Sequence, residues 1–256
     1  MEEMAYVYFV GTAGSGKSML TAAFDEWCRR HRYNVITVNL DPGVRHIPYD
    51  PEIDVREWII LEEVMKEYGL GPNGAQIACA DMIALNVSEI EERLGEYRAD
   101  YVLFDTPGQL ELFAFRSAGK VLMDRLGRNN SLLGFLIDPA LSTTPAHFVS
   151  QLMLSAVTQF KLEVPLVNIL PKVDIIEKQT LEMIMEWGKN PDVLYEELMQ
   201  RNSLHAQMGE KLINVIREMG SHTRLIPLSS ETLEGMEDLY TFIQHVFYGG
   251  EDLEKS

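Results

Sequence analysis

The order of apolar and polar positions along the chain predicts alternating strands and helices. Short apolar runs bounded by polar turns are typical of strands that are buried on both faces. Six such runs occur, over residues 5–10, 34–39, 101–105, 132–138, 165–170 and 224–228. Between them, apolar residues recur with helical spacing. The clearest predicted helices cover residues 17–30, 55–67, 88–94, 145–160, 202–219 and 233–247.

This alternation predicts an α/β fold with a mainly parallel central sheet and helices on both of its faces. Ligands of such sheets bind beyond the carboxyl ends of the strands. Two segments, at about residues 50–96 and 175–221, are longer than a minimal nucleotide-binding sheet needs, and both look helical. The sequence has no internal repeat or low-complexity linker. We therefore expect a single domain over residues 1–256 with two helical insertions.

The composition narrows the classes of partner. The chain has 256 residues, of which 46% are apolar, and its 39 acidic and 22 basic residues give a net charge of −17. This charge disfavours a general attraction to nucleic acid or anionic membranes, although a local basic patch stays open. The sequence has neither an apolar run of the ~18 residues that a membrane span needs nor a secretory pattern at its start, so we expect a cytoplasmic location. Cys28 and Cys79 are too few for a disulfide framework and are expected to be buried thiols.

A phosphate-binding motif stands at the first predicted strand end. The segment GTAGSGKS at residues 11–18 lies between a strand and a helix, the context in which a P-loop pattern is meaningful. It predicts a P-loop NTPase three-layer sandwich. We expect Lys17 to bridge the β- and γ-phosphates and Ser18 to give its hydroxyl to Mg²⁺. The other predicted nucleotide-binding residues here are Gly14, Ser15 and Gly16, whose amides hold the phosphates, and Met19.

A second motif, DTPGQ at residues 105–109, follows the apolar run over residues 101–104. We expect Asp105 to hold Mg²⁺ directly or through water, as the carboxylate after such a strand does in P-loop enzymes. The amide of Gly108 is placed to contact the γ-phosphate and to move away once that group leaves. Gln109 is a candidate for orienting the attacking water. The alternative is an ordinary Pro-Gly turn between a strand and a helix.

Two further segments are candidates for binding the base. PKVD at residues 171–174 follows a buried strand. The Asp174 carboxylate can accept two hydrogen bonds from guanine, which adenine does not offer, and the stem of Lys172 can cover the base. The alternative is a surface lysine followed by an aspartate that caps a helix. Near the last strand, the segment containing Ser230 is a candidate for the amide that contacts guanine O6, unless it is only a loop and helix cap.

Together with NLDP at residues 39–42 and GPN at residues 71–73, these motifs resemble the GPN-loop GTPases in order and over nearly the whole chain. Pro171 departs from the asparagine that many GTPases carry there, but the position varies in this family. The resemblance implies a homodimer in which Asn73 of one subunit reaches the phosphates of the other, although Gly71 and Pro72 can also make a simple packing turn. It also implies that Asp41 orients water, with a possible outer-shell contact to Mg²⁺.

These residues predict hydrolysis of GTP to GDP and phosphate by an in-line water, with Asp41, Gln109 and Asn73 placing that water. Lys17 and Mg²⁺ are expected to neutralise phosphate charge. The sequence shows no evident arginine finger, because Arg45 and Arg116 are typical surface or salt-bridge arginines. Turnover is therefore expected to be slow, since arginine fingers elsewhere contribute ~10³–10⁵-fold.

Three other functions stay open at this point. A P-loop kinase would pass the γ-phosphate to an acceptor instead of water. A non-enzymatic assembly factor would use GTP only to gate partner binding. A metallochaperone-like GTPase would need clustered metal ligands, but five of the six histidines, His46, His147, His205, His222 and His245, are scattered along the chain.

The client of such a protein is not specified by these residues. The family resemblance alone suggests a role in assembling a protein complex related to RNA polymerase. The apolar residues after Gln109 form either a nucleotide-gated client surface or part of the core, and packing of a helix is the simpler reading. They are Leu110, Leu112, Phe113 and Phe115.

Overall fold

The central element is one parallel sheet. The computed structural model describes residues 4–200 and 224–249, together with residues 211, 214, 215 and 218. Within this part, seven strands pair in the order β3-β2-β4-β1-β5-β6-β7, and every pair is parallel. The strands are β1 (Ala5–Gly11), β2 (Val35–Asn39), β3 (Ile53–Asp54), β4 (Tyr101–Asp105), β5 (Ser131–Leu136), β6 (Leu166–Leu170) and β7 (Leu225–Pro227). The predicted parallel α/β fold is confirmed.

Helices fill most of the connections between these strands. They are α1 (Lys17–Arg30), α2 (Leu61–Tyr68), α3 (Pro72–Leu85), α4 (Val87–Leu94), α5 (Leu110–Ala114), α6 (Ser117–Leu126), α7 (Pro145–Leu162), α8 (Lys178–Lys189), α9 (Pro191–Gln200) and α10 (Met236–Tyr248). The segment at about residues 50–96 contains α2 to α4, and the described part of the segment at 175–221 contains α8 and α9. The prediction of a single domain over the whole chain stays a prediction.

The sheet divides the interior into two hydrophobic cores. Successive side chains of β1 point to opposite faces, so Tyr8 and Val10 lie in one core, whereas Val7 and Phe9 lie in the other. The second core is covered by α1 and α10, and the first by the helices between β3 and β4 and those that follow β4, β5 and β6. This arrangement is the predicted three-layer sandwich.

One predicted helix, over residues 55–67, is wrong as a continuous element. The chain makes a 3-10 turn at Val55–Glu57, becomes extended at Ile60, and only then enters α2. Val55 and Ile59 are both fully buried in the first core. Burial of these two β-branched side chains favours the break over the continuous helix that the local pattern predicts. The predictions also did not single out α3, which carries the GPN segment.

The other boundaries moved by only a few residues, and the strand predicted over 101–105 is confirmed at both ends. The last strand is shorter than predicted and ends at Pro227. The predicted helix over residues 202–219 lies outside the described residues, apart from four isolated positions. None of the helices in the described part is long and apolar enough to cross a membrane.

Candidate nucleotide site

The P-loop joins β1 to α1 at the carboxyl edge of the sheet. Gly16 caps the start of α1 with a left-handed backbone, φ 105°, a conformation that glycine adopts at little cost. The Ser15 amide donates to the Thr12 carbonyl at 3.2 Å, which closes the loop on itself. The loop therefore places the amides of residues 14–16 at the amino end of a helix, where an anion is favoured.

Lys17 is folded into the loop. Its side chain is buried, and its ammonium group donates to the carbonyls of Gly11 at 3.1 Å, Thr12 at 3.0 Å and Gly108 at 3.2 Å. Burial lowers the pKa of Lys17, and the nearby carboxylates of Asp105 and Asp41 oppose this shift. The lysine thus links the P-loop directly to the DTPGQ segment.

The Gly108 peptide is held from both sides. Its carbonyl accepts from Lys17, and its amide donates to Asp41 Oδ2 at 2.9 Å. The other oxygen of Asp41 accepts from the Gly43 amide, also at 2.9 Å. Asp41 therefore joins the turn after β2 to the segment after β4. Gln109, the next residue, is exposed and immediately precedes α5.

Asp105 is the most deeply buried carboxylate of the site, with 1% of its surface exposed. Burial raises its pKa to about 6, while interactions with Ser18, Tyr49 and Lys17 oppose the rise. Oδ2 accepts a 3.0 Å hydrogen bond from the Tyr49 hydroxyl. Burial also raises the pKa of Tyr49, so its hydroxyl stays protonated and is the donor.

The donor set around Asp105 suits a hard cation. The second carboxylate oxygen, Oδ1, is buried and has no hydrogen-bond partner among the described residues. An unsatisfied buried carboxylate oxygen is costly, and a divalent cation would satisfy it. The hydroxyl of Ser18 and this carboxylate are oxygen ligands of the kind that Mg²⁺ prefers. The residues present therefore fit the predicted Mg²⁺.

The segments predicted to bind the base lie side by side. Lys172 has a left-handed backbone, φ 63°, and its ammonium group donates to the Gly14 carbonyl at 2.7 Å. The next amide, that of Val173, donates to the carbonyl of Leu228 at 3.2 Å, which ties this loop to the loop that contains Ser230. Asp174, the following residue, is exposed.

Ser230 is half-buried and lines a shallow depression above α1 that also includes Met19 and Tyr49. The neighbouring Ser229 hydroxyl accepts from the amides of Glu231 at 3.2 Å and Thr232 at 3.1 Å. These bonds fix the shape of the loop and leave Ser230 as the residue that faces the depression.

The GPN segment begins a helix, whereas the sequence suggested an isolated tight turn. Gly71 is the N-cap of α3, and Pro72 stands at the first helical position, where its fixed φ is favourable. Asn73 follows in the same turn and is exposed. One turn further, the Gln76 amide nitrogen lies 3.4 Å from the position that a Cβ on Gly43 would take. The start of α3 therefore borders the turn that contains Asp41.

The structure thus brings some of the predicted site residues into contact and leaves others apart. The structure gathers Lys17, Asp41, Asp105, Gly108 and Lys172 into one connected group. It leaves the side chains of Gln109, Asn73 and Asp174 exposed around this group.

Two residues of the site were missed by the motifs. Tyr49 belongs to no motif, and nothing in the neighbouring sequence indicates that it lies at the site. Asn39 lies in the NLDP segment, but the sequence alone assigned it no role at the site. Its side chain accepts from the Asp41 amide at 3.1 Å and donates to Asp54 Oδ1 at 2.9 Å, so it holds the turn in place.

The apolar residues after Gln109 are mostly core. Leu110, Leu112 and Phe113 are buried, so for these three residues the favoured alternative, core packing, is confirmed and the client surface is wrong. They belong to the short helix α5, which contacts α3, α6 and α7. Phe115 differs, because it retains 38% exposure. Arg116 pairs with Asp81 at 2.5 Å, as expected of a salt-bridge arginine.

Comparisons with known proteins agree with this geometry. Residues 9–249 match the family model described as a conserved hypothetical ATP binding protein. A GPN-loop GTPase of Pyrococcus abyssi is 36% identical over 92% of this chain and 94% of its own length. GPN-loop GTPase 3 of Danio rerio is 34% identical over 96% of this chain and 88% of its own.

A solved structure supports the same relationship. The crystal structure of a Pyrococcus abyssi GTPase in its apo form superposes with a TM-score of 0.88, covering 97% of this chain and 99% of that one at 35% identity. The chain therefore belongs to the GPN-loop GTPase family and is a GTP-binding GTPase.

Proposed function

We propose that the protein is a Mg²⁺-dependent switch that hydrolyses GTP to GDP and phosphate as a homodimer. The observation that carries this proposal is the Gly108 peptide, whose carbonyl accepts from Lys17 and whose amide donates to Asp41. A γ-phosphate needs both Lys17 and the Gly108 amide as donors. Binding of GTP therefore competes with the contacts that now join the two segments.

This competition supplies the switching element. When Lys17 donates to phosphate, it gives up carbonyl acceptors that include Gly108. When the Gly108 amide turns to phosphate, Asp41 Oδ2 loses its partner and becomes free to accept from the attacking water. Gln109, exposed beside Gly108, is placed to orient the same water. Loss of the γ-phosphate after hydrolysis restores the present contacts, which is order-disorder switching by phosphate.

Ser18 and Asp105 are proposed to hold Mg²⁺, with Asp41 as an outer-shell residue. Bound Mg²⁺ would neutralise charge on the β- and γ-phosphates. The base is assigned to Asp174, which accepts from guanine, with the Lys172 stem beside it. The bond from Lys172 to the Gly14 carbonyl supports this assignment, because it places the stem across the P-loop.

We propose further that Asn73 acts on the phosphates of a second subunit. The first intrahelical bond of α3 is donated by the Ala75 amide, so the preceding amides are available to an anion. Ile77, four residues after Asn73, lies on the same face of α3 and is 42% exposed, and Leu85, the last residue of α3, is 82% exposed. These exposed apolar side chains on the helix that carries Asn73 favour a protein partner at α3.

Turnover without an activator should be slow. The pairing of Arg116 with Asp81 supports this expectation, as does the place of Arg45 as an exposed surface residue. In the proposed cycle, Lys17 and bound Mg²⁺ are then the groups that neutralise phosphate charge.

Mixing two inactive variants tests the dimer and the hydrolysis together. Asn73→Ala keeps its own P-loop, and Lys17→Ala keeps its own Asn73. When equal amounts of the two variants exchange subunits, about half of the dimers are heterodimers. If Asn73 acts in trans, each heterodimer has one complete site out of two, so about a quarter of wild-type activity returns. Release of labelled free phosphate from GTP is the readout. Transfer of label to an acceptor molecule would instead support a kinase.

A second mixture provides the matched control. Wild type is exchanged with the double variant that carries both substitutions. A trans-acting Asn73 makes every heterodimer inactive, so activity falls to about half of that of the wild type present. A cis-acting Asn73 leaves that activity unchanged and also prevents restoration in the first mixture. Sedimentation shows in each case whether heterodimers formed.

The downstream role is proposed to be the assembly of a protein complex, with an RNA polymerase-related client suggested by family resemblance alone. A cytoplasmic location stays a prediction of the sequence. Capture of partners by protein loaded with GDP or with a non-hydrolysable GTP analogue, using wild type and Gln109→Leu, tests this role. Identical partner sets in the two nucleotide states would contradict a switch.

A further inference from the structure

Residues 42–52, in the loop between β2 and β3, make several contacts with the rest of the protein, and three of them show how the loop is attached. Near its start, the Val44 carbonyl accepts from Arg56 at 3.2 Å. At its end, Glu52 accepts from the amide and hydroxyl of Thr37 at 2.7 and 2.9 Å. Between these points, Tyr49 reaches across to Asp105 at 3.0 Å. The first two contacts attach the loop to the 3-10 turn after β3 and to β2, and the third attaches it to Asp105, a proposed Mg²⁺ ligand.

The two oxygens of Asp105 are in different situations. Oδ2 is bonded to Tyr49, whereas Oδ1 is buried with no hydrogen-bond partner among the described residues. The torsion that orients a carboxylate is broad and has no sharp preference of its own. A bond to one oxygen therefore selects the direction in which the other points. The partners of a ligand's second atom usually orient metal ligands in this way.

We propose that Tyr49 is a positioning residue for the cation: its hydroxyl fixes Asp105 so that Oδ1 is presented to Mg²⁺, and the bound cation in turn fixes the loop at residues 42–52. This inference rests on the proposed Mg²⁺ dependence. The two effects are reciprocal by linkage, because a contact that strengthens cation binding must itself be strengthened by the cation.

The test measures release of a fluorescent GDP analogue over a range of Mg²⁺ concentrations. In Tyr49→Phe, the half-maximal Mg²⁺ concentration should rise about ten- to a hundredfold, the usual loss when such a partner is removed. In excess chelator, release from the variant and from the wild type should be equal. That equality shows that the nucleotide site itself is intact.

Tyr97→Phe is the matched control. The Tyr97 hydroxyl donates to the Glu52 carbonyl at 3.4 Å, so this variant loses a hydroxyl contact with the same loop but not with Asp105. Its Mg²⁺ response should equal that of wild type. A shift as large as that of Tyr49→Phe would show that general loosening of the loop is responsible, and would overturn the proposal.

Trypsin gives a second readout that does not depend on catalysis. Arg45 is exposed in this loop and is a site for cleavage. Mg²⁺ with GDP should slow cleavage after Arg45 in wild type and in Tyr97→Phe, but not in Tyr49→Phe. Equal Mg²⁺ protection in all three would overturn the proposed link between the cation and the loop.

The outcomes also separate this inference from the proposed function. If Mg²⁺ has no effect on GDP release from wild type, the Mg²⁺-dependent function fails, and the role of Tyr49 fails with it. If wild type responds to Mg²⁺ and Tyr49→Phe responds identically, only the role of Tyr49 fails.

Discussion

At the scale of single residues, the donors that a bound nucleotide would need already have other hydrogen-bond partners in this structure. Lys17 uses carbonyl acceptors at 3.0 to 3.2 Å, and the Gly108 amide uses Asp41 at 2.9 Å. Hydrogen bonds to charged groups are worth about 1.5–3 kcal/mol each. In the proposed switch, the hydrogen bonds that are lost and the phosphate contacts that replace them are then of similar free energy. Under this condition, a single phosphate group can shift the equilibrium between the two arrangements.

Asp174 provides the prediction at this scale. In Asp174→Asn, one acceptor of guanine is replaced by an amino donor, so affinity for GTP should fall about 10- to 100-fold. Xanthine carries an oxygen where guanine carries its 2-amino group, so the variant should bind xanthosine triphosphate better than wild type does. Equilibrium titration with fluorescent nucleotides measures both affinities.

The control for this prediction is Asp238→Asn, which removes the same charge from an exposed position on α10. It should leave both affinities unchanged. Tight binding of ATP by wild type, equal to that of GTP, would contradict the guanine role of Asp174. The family model's description as an ATP binding protein makes this comparison worth including.

At the scale of elements, the loops after β6 and β7 depend on a glycine that starts α10. Gly235 has φ 79°, and a Cβ there would lie 2.1 Å from the Pro227 carbonyl oxygen. No side chain fits without moving the end of β7. The same loop is closed by the bond from the Ser229 amide to the Glu234 carbonyl at 3.0 Å. Gly235 thus fixes where Ser230 stands relative to the nucleotide site.

Gly235→Ala should lower the free energy of unfolding by more than about 2 kcal/mol, because the clash adds to the cost of a left-handed backbone. Gly69→Ala is the control, since Gly69 has φ 64° but open space around the added Cβ. That variant should lose only about 1–2 kcal/mol. Urea denaturation gives both values, and equal losses would contradict the proposed clash.

At the scale of the whole molecule, the net charge of −17 opposes the proposed dimer. Two copies with this charge repel each other, and the repulsion extends over roughly 30 Å at 0.01 M salt but about 8 Å at 0.15 M. The exposed Ile77 and Leu85 of α3 favour association, and their hydrophobic contribution is not weakened by moderate salt. The balance between these two terms should therefore depend on ionic strength.

We accordingly expect the dimer to tighten as salt rises. The dissociation constant should fall at least about threefold when sodium chloride rises from roughly 0.01 to 0.15 M, as charge repulsion is screened. Analytical ultracentrifugation measures this constant. Potassium chloride should have the same effect, which excludes a specific role of sodium. Weaker association at higher salt would instead indicate an interface held by ion pairs.

How much the sequence alone predicted depends on whether a feature is local. Some features depend on only a few consecutive residues, such as the buried runs of β1 and β4 and the GTAGSGKS segment. Their positions could therefore be predicted from spacing and residue type. The break in the helix between residues 57 and 61 could not be predicted in this way, because it depends on the burial of Ile59 in the first core. The helix start at Gly71 was also missed, because a Gly-Pro-Asn run fits a turn as well as a helix.

The sequence by itself thus determined the parallel α/β fold, the P-loop at residues 11–18 and the family. Tertiary structure alone decided that Asp41 holds Gly108, 67 residues away, and that Tyr49 holds Asp105, 56 residues away. No local pattern records such pairs, because they meet only through the order of strands, which places β2 beside β4. The order of the strands in the sheet, and not the local sequence, determines which side chains meet at its carboxyl edge.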